Sequence, residues 1–341
     1  MKLPRPFGKV LAVNLALAAM CVVPVVIVAQ NQSGSAPPAA PATPLPWAYP
    51  LNPPAQPGAQ PAAPDTAEHH LPGSSKAFTR KQATDIFNPP DWYPEDHPAM
   101  PEIVVHGRRP EVRACGYCHL PNGLGRTENA NLAGLPVGYF VQQMADYRNG
   151  LRKSSEPKMG PPSFMLALGK AANDEEARIA AEYFSKLKYK TWIRVVETNT
   201  VPKTHVEGWI LVPDEGGGKE PIGTRIVETP EDHERFELRD SRSGFVAYVP
   251  VGSLKKGEDL VTKGGSGKTL RCSICHGEGL KGLGELPFLA GRSPSYLVRQ
   301  LYDFKTGNRQ GVWSPLMKEA VAKLTTEDMV AIAAYAASLK P

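Results

Sequence analysis

The chain has 341 residues, which is enough for two modest globular domains and connecting segments. Its formal charge is +5, and Lys2, Arg5 and Lys9 supply three of the positive charges. The remainder is close to neutral and has no basic stripe interleaved with aromatic residues, which argues against nucleic acid as a partner.

Residues 1–30 have the features of an export signal. Basic residues precede an apolar run over residues 10–29 that is long enough to cross a bilayer. Because no good small-x-small cleavage site follows, we expect an uncleaved inner-membrane anchor, with a cleaved signal as the alternative. The N-terminal charges place the rest of the chain in the periplasm. Cys21 fits a small apolar residue of this run better than a lipoprotein site.

Residues 31–85 are predicted to be a linker. Eleven prolines lie between Pro37 and Pro64, among Ala, Gln and Gly. This composition predicts an extended polyproline-II spacer that buries no core. A tether that lets a soluble head sample partners is the functional interpretation, and a disordered leader without a role is the alternative.

The most informative feature is an internal repeat. Cys115-Gly-Tyr-Cys118-His119 recurs as Cys272-Ser-Ile-Cys275-His276, 157 positions later. The same spacing aligns Gly107 with Gly264, Leu132-Ala133-Gly134 with Leu289-Ala290-Gly291, Tyr139 with Tyr296, Gln143 with Gln300 and Gly150 with Gly307. Beyond that glycine the spacing becomes 152, which aligns Met165 with Met317 and Asn173 with Thr325. We therefore predict two homologous modules, over residues 86–190 and 251–341.

Both modules are predicted to be helical. Asn173 and Thr325 are candidate N-caps because an acidic residue follows each of them three positions later, before a run with apolar residues at helical spacing. The other predicted helices cover residues 137–149, 253–263 and 294–306, with a shorter one before Gly107.

Residues 191–250, between the modules, have a different composition. Gly, Pro and Asp separate four stretches rich in β-branched and aromatic residues: 192–196, 208–212, 224–227 and 244–249. They indicate a small β-rich insertion. Residues 194–198 resemble residues 225–229, which suggests two paired strands. Spacing the modules and docking a partner are both open as its role.

Cys-x-x-Cys-His is the attachment signature of haem c. Two thiols at this spacing reach the two vinyl groups of one porphyrin, and the adjacent histidine is placed to ligate the iron. A zinc site would need paired motifs brought together, and a thioredoxin-like dithiol would need a βαβ pattern that is missing. We predict two covalent haem c groups, attached through Cys115, Cys118, Cys272 and Cys275, with His119 and His276 as proximal ligands.

Each module resembles a class I cytochrome c domain, and the pair resembles the tandem di-haem members of that family. The likeness rests on the Cys-x-x-Cys-His motifs, the Leu-Ala-Gly element with the Tyr–Gln helix, a late methionine and a closing Tyr-x-x-x-Leu helix. It implies a mainly α fold of two cytochrome c domains in tandem, with the β-rich insertion between them. It covers residues 100–190 and 250–341.

The resemblance also implies the sixth ligand, a methionine in a loop before the last helix. Met165 and Met317 match that position. Met159 is the alternative in the first module, disfavoured because Met165 alone aligns with Met317. Met144 and Met329 are interpreted as core residues.

The two haems are predicted to have unequal reduction potentials. In the family a backbone carbonyl near a proline fixes the proximal histidine, and Pro287 suits this role in the second module. Ala130 stands at the matching position of the first module, and Leu120 stands where the second has Gly277. Different surroundings should separate the two midpoints. A redox titration that shows one wave with identical midpoints would contradict this.

His/Met ligation leaves iron without an open position, so we expect an electron carrier and not an enzyme. The expected donor is a quinoprotein or flavin dehydrogenase, and the expected acceptor a terminal oxidase or another cytochrome. A di-haem cytochrome c peroxidase and a tightly bound cytochrome subunit of a membrane dehydrogenase are the alternatives.

Two other patterns are not assigned to sites. Lys268-Thr269 resembles the end of a phosphate-binding loop, but Thr262 stands where the leading glycine should be. The remaining histidines lack ligand spacing and are interpreted as surface or core residues: His69, His70, His97, His106, His205 and His233.

Overall fold

The computed structural model describes residues 45–54 and 65–341. The predicted anchor at residues 10–29 and Cys21 lie outside these residues. Within the described ranges, no helix is both long and apolar enough to span a bilayer. Helices make up more of this part of the chain than strands do.

A small folded unit spans the end of the predicted linker and the start of the first module. Its elements are β1 (Glu68–His70), β2 (Ala77–Thr79), α1 (Arg80–Ala83) and a 3-10 turn (Pro94–Asp96). β1 and β2 pair antiparallel. Trp92 is buried, and its indole N–H donates to the Leu238 carbonyl at 2.7 Å. The predicted linker thus ends in regular structure, because apolar residues such as Leu71 and Ala83 bury against the insertion.

Five helices form the first module: α2 (Glu102–Val105), α3 (Cys115–His119), α4 (Val137–Arg148), α5 (Gly160–Ala171) and α6 (Asp174–Ser185). α2 is short, as predicted, because Pro101 precedes it. α4 ends before Gly150, which takes a left-handed φ of 68°. α6 begins with the predicted capping box, in which Asn173 and Glu176 each bond the other's backbone N–H.

The segment between the modules contains β3 (Ile193–Glu197), β4 (Thr200–Pro202), β5 (Thr204–Glu207), β6 (Ile210–Pro213), β7 (Lys219–Pro221), β8 (Val227–Pro230), α7 (His233–Glu237) and β9 (Phe245–Val249). β9 lies between β3, which runs parallel to it, and β8, which runs antiparallel. The predicted direct pairing of residues 194–198 with 225–229 is therefore wrong. The apolar β9 is largely buried and takes the central position instead.

The second module repeats the order of the first, with α8 (Ser253–Lys263), α9 (Ser273–His276), α10 (Pro294–Lys305), α11 (Ser314–Val321) and α12 (Thr326–Ser338). α12 begins with the predicted Thr325–Asp328 capping box. Lys268, from the rejected phosphate-loop pattern, donates to the buried Asp328 at 2.9 Å. That lysine therefore fixes the start of the closing helix.

The two modules exchange core residues. Met159, from the start of α5, is fully buried in the core around α10 and α12. Phe288, from the second module, is buried in the core around α4 and α6. Each core is therefore completed by a side chain from the other half of the repeat.

Residues 45–54 do not follow the prediction of a spacer that buries no core. Ala48 and Tyr49 are buried in the core of the second module. The Tyr49 hydroxyl donates to Asp303 at 2.8 Å, and Arg299 donates to the Ala48 carbonyl at 2.9 Å. A tyrosine within a proline-rich run has enough apolar area to dock when a cleft is available. We call residues 45–54 the strap.

Glu228 makes stability depend on pH. Its carboxylate accepts from the Ser293 hydroxyl and the Ser295 N–H at the start of α10, and burial raises its pKa to about 7. Above the unfolded pKa of about 4.3, unfolding releases a proton that the folded state retains. We therefore expect the free energy of unfolding to fall from about pH 4.3 to pH 7, by up to about 3 kcal/mol. Urea titrations across this window should show the slope, and Glu228→Gln should flatten it.

Candidate functional site

The first Cys-x-x-Cys-His motif occupies α3, which ends at His119. Its Nδ1–H donates to the Ala130 carbonyl at 2.8 Å. The side chain is buried, and this burial lowers the pKa of the imidazole to about 4. A neutral ring whose Nδ1–H is held in this way keeps its Nε2 lone pair for a metal ion.

The second motif repeats this arrangement at the end of α9. The Nδ1–H of His276 donates to the Pro287 carbonyl at 2.8 Å, and burial lowers the pKa of this ring too. The following residue has a left-handed φ in both modules, 61° at Leu120 and 75° at Gly277. A Cβ at Gly277 would lie 2.2 Å from the Gly282 carbonyl, so only glycine fits there. The turns after the two histidines therefore differ in shape.

The four motif cysteines border the same cavities as the histidines. None of them forms a disulfide. Burial raises the pKa of Cys115 to about 12 and that of Cys272 to about 11. Burial thus favours the neutral form of both thiols.

Large cavities surround both histidines. A cleft of about 1480 Å³ is lined by Cys272, Cys275, His276 and Met317. Two cavities of about 900 and 530 Å³ are both lined by His119 and Met165. The structure therefore brings together, in each module, the histidine and the methionine that the sequence pairs.

The methionines lie on helices and not in the predicted loop. Met165 is in α5 and Met317 in α11, because prolines at the first turns begin a helix in each segment. Met159 is absent from the linings of the cavities around His119. Met144, predicted to be core, does line them, but its counterpart at the repeat spacing is Leu301. Met165 alone has a methionine partner in the second module.

Buried arginines border the clefts, and the sequence reasoning did not identify them. There are four of them among the described residues: Arg152, Arg292, Arg299 and Arg309. None of the four has a carboxylate oxygen of the described residues within 4.0 Å. One Nη atom of Arg292 also has no hydrogen-bond partner there. Buried cations are costly without an anionic partner. The clefts thus fit a large apolar group that carries its own carboxylates, and haem is such a group.

Two of these arginines form a network with approximate two-fold symmetry where the modules meet. Arg152 donates to Gln143, Tyr296 and Gln300 at 2.9, 3.0 and 3.0 Å. Arg309 donates to Gln300, Tyr139 and Gln143 at 3.0, 2.8 and 2.8 Å. Arg152 and Arg309 are 157 positions apart, so the repeat continues past Gly150. The 157-residue spacing between Arg152 and Arg309 is therefore the feature of the sequence from which this pair could have been predicted.

Curated cytochromes are similar to part of this chain. No protein-family model matches the chain. Cytochrome c-554(548) of Halomonas halodenitrificans is 36% identical over 75 residues, which is 22% of this chain and 90% of that protein. Cytochrome c-554(547) of Halothiobacillus neapolitanus is 35% identical over 86 residues, 22% of this chain and 94% of that protein. The chain belongs to the c-type cytochromes.

This cytochrome is a tandem di-haem member of class I and carries two covalent haem c groups, one for each motif. It is also similar to a protein of Thiomonas intermedia named thiosulfate dehydrogenase electron acceptor. The two are 25% identical over 234 residues, which is 67% of this chain and 80% of that protein. This match is longer than either module.

The haem clefts of the cytochrome differ in how their edges are covered. Six large apolar residues in or beside the second cleft are exposed, and we call them the apolar edge: Leu270, Ile274, Leu283, Val312, Trp313 and Leu316. In the first module, Tyr117 stands in place of Ile274 and lies under the guanidinium of Arg239, 3.5 Å away. Arg126 stands in place of Leu283 and packs on Phe236. The insertion therefore covers the edge of the first cleft and leaves the second open.

Proposed function

We propose that this cytochrome passes single electrons between a donor and an acceptor protein through two His/Met-ligated haems, without a substrate of its own. The observation that carries the proposal is that a histidine and a methionine line the cavities of each module. The haem supplies a one-electron Fe(III)/Fe(II) couple, and thioether ligation favours Fe(II). Ligation on both sides would exclude other small ligands from the iron.

Each site residue has a specific role in this proposal. Cys115 and Cys118 in one module, and Cys272 and Cys275 in the other, would form the thioethers. His119 and His276 would ligate iron through Nε2, with the carbonyls of residues 130 and 287 holding the rings in place. Met165 and Met317 would supply the sixth ligands. The buried arginines would pair with the haem carboxylates.

The Arg152–Arg309 network supports electron exchange between the two sites. Tyr139, Gln143, Tyr296 and Gln300 line both the cavity beside His119 and the cleft beside His276. The two sites therefore share one wall. A shared, hydrogen-bonded wall would hold two bound haems at a fixed separation, which a relay between them requires.

The open second cleft supports entry or exit of electrons through the second module. The apolar edge is the kind of surface on which a redox partner docks transiently. Because the relative that matches over 234 residues is named thiosulfate dehydrogenase electron acceptor, we propose a dehydrogenase of that class as the donor. A terminal oxidase or another cytochrome would accept.

The proposal places the cytochrome in the periplasm, with residues 10–29 as its membrane anchor. Residues 86–190 and 251–341 would act as the two haem domains, and residues 191–250 as the cover of the first.

Spectra of methionine variants test the proposed ligands. The ferric protein should show the weak long-wavelength band of Met–Fe(III) at the intensity of two haems. Met165→Ala and Met317→Ala should each remove about half of it, whereas Met159→Ala should leave it in place. A high-spin fraction in the unaltered protein, together with turnover of hydrogen peroxide, would instead indicate a di-haem peroxidase.

Reduction kinetics test the proposed donor. Purified thiosulfate dehydrogenase with thiosulfate should reduce both haems, and Trp313→Lys should slow the reaction at low donor concentration. An unchanged rate in that variant would show that the apolar edge is not the entry surface. Stable co-purification with a membrane dehydrogenase would indicate a permanent subunit.

A further inference from the structure

The insertion contains a group of metal-ligating side chains away from both haem clefts. β5 ends at Glu207, and α7 presents His233 and Glu237, which are four residues apart and so lie on one helix face. One ligand atom from each of these three residues lies within 4.8 Å of the other two. Sequence spacing did not reveal the group, because its members come from two separate elements.

One ligand atom of this group makes no hydrogen bond. The Nε2 of His233 is inaccessible to solvent and makes no hydrogen bond with the described residues. It lies 3.4 Å from the Oε2 of Glu207. A buried polar atom without a partner needs an explanation, and a bound ion is one.

His205 lies beside the group, next to Glu207. Its Nε2 lies 3.7 Å from the same Glu207 oxygen, and its Nδ1 lies 3.0 Å from Asp214. A carboxylate on Nδ1 fixes the tautomer that leaves Nε2 free, which is the usual arrangement behind a metal-bound histidine. Arg80 donates to Oε2 of Glu237, so the other oxygen of that carboxylate stays available.

We propose that His205, Glu207, His233 and Glu237 form a binding site for a divalent transition metal, with Zn²⁺ as the preferred ion. Two imidazoles and two carboxylates suit tetrahedral Zn²⁺, and the two negative charges balance the ion. Bond lengths of about 2.0–2.2 Å require the ligand atoms to draw together slightly. These side chains are partly exposed, so they have room to move.

The ion would join the β5–β6 hairpin to α7. Glu207 precedes the turn at Gly208 and Trp209. α7 contains Phe236 and is followed by Arg239, and both of these residues pack on the first module. A metal ion bound here would link the two parts of the insertion that cover the first haem. The site does not depend on the proposed electron transfer.

Calorimetric titration of chelator-treated holoprotein with Zn²⁺ tests the site. We expect one ion bound per chain and a raised melting temperature. Glu207→Gln combined with His233→Asn should abolish this binding, while Asp214→Asn should weaken it by about tenfold. His70→Asn, an exposed histidine outside the group, is the matched control.

The haem spectrum and circular dichroism of each variant establish that it is folded. Saturable binding that the double variant loses and His70→Asn keeps supports the site. Absence of saturable binding by the unaltered protein, or equal binding by the folded double variant, overturns it.

Discussion

Replacement of Arg152 by methionine is expected to lower the reduction potential of the first haem. A buried positive charge beside a haem disfavours Fe(III), so its removal stabilises the oxidised form. At an effective dielectric constant near 20, we expect a loss of about 1–2 kcal/mol, or roughly 40–90 mV for one electron. Arg309→Met should act in the same way on the second haem, because the two arginines occupy equivalent positions in the network.

Spectroelectrochemical titration measures both midpoints. Arg178→Met is the control, since that arginine is exposed on α6 and pairs with Glu175 and Glu182. Unchanged midpoints in both interface variants would show that these cations do not act on the haems. If both midpoints shift equally in each single variant, the network acts on the haems as one unit.

Replacement of Trp209 by alanine is expected to loosen the Met165 ligand. The indole packs edge-on against Phe164, 5.6 Å between ring centroids, directly beside Met165. It also lies so close to Gly160 that a Cβ there would be 2.5 Å away. The strap fixes the main chain of this residue, because the Asn52 side-chain oxygen accepts from the backbone N–H of Trp209 at 2.9 Å. Removing the ring leaves a void beside α5 and should cost about 3 kcal/mol.

Added imidazole is the sensitive probe for this variant. If the Met165–iron bond is weakened by about 1.4 kcal/mol or more, imidazole should bind the first haem at least about tenfold more tightly. The second haem should be unaffected, and Trp209→Phe should behave like the unaltered protein. Val251→Ala, an exposed position next to the insertion, is the control. Equal imidazole affinity at both haems would mean that Trp209 does not position Met165.

The sequence predicts several local elements of both modules, because local chemistry determines them, although it predicts loops where α5 and α11 are helices. The capping boxes at Asn173 and Thr325 lie in the structure where the sequence predicts them. So does the helix end before Gly150. The Pro287 carbonyl, which the family resemblance implies as the acceptor for His276, accepts from that ring. Each of these features depends on residues close together in the chain.

Long-range features escaped the sequence reasoning. The docking of Tyr49 depends on a partner at Asp303, and nothing in the proline-rich composition indicates it. The central place of β9 depends on the burial of Phe245–Val249 between two neighbours. Arg152 and Arg309 could have been found, since they continue the repeat, but their burial depends on how the modules meet.

The traded side chains Met159 and Phe288 make the duplicated halves mutually dependent. A fragment that ends before the insertion would lack Phe288 and would have a cavity in the core between α4 and α6. A fragment beginning after it would lack both Met159 and Tyr49. Neither module is therefore expected to fold alone, and thermal unfolding of the whole chain should proceed in one cooperative step.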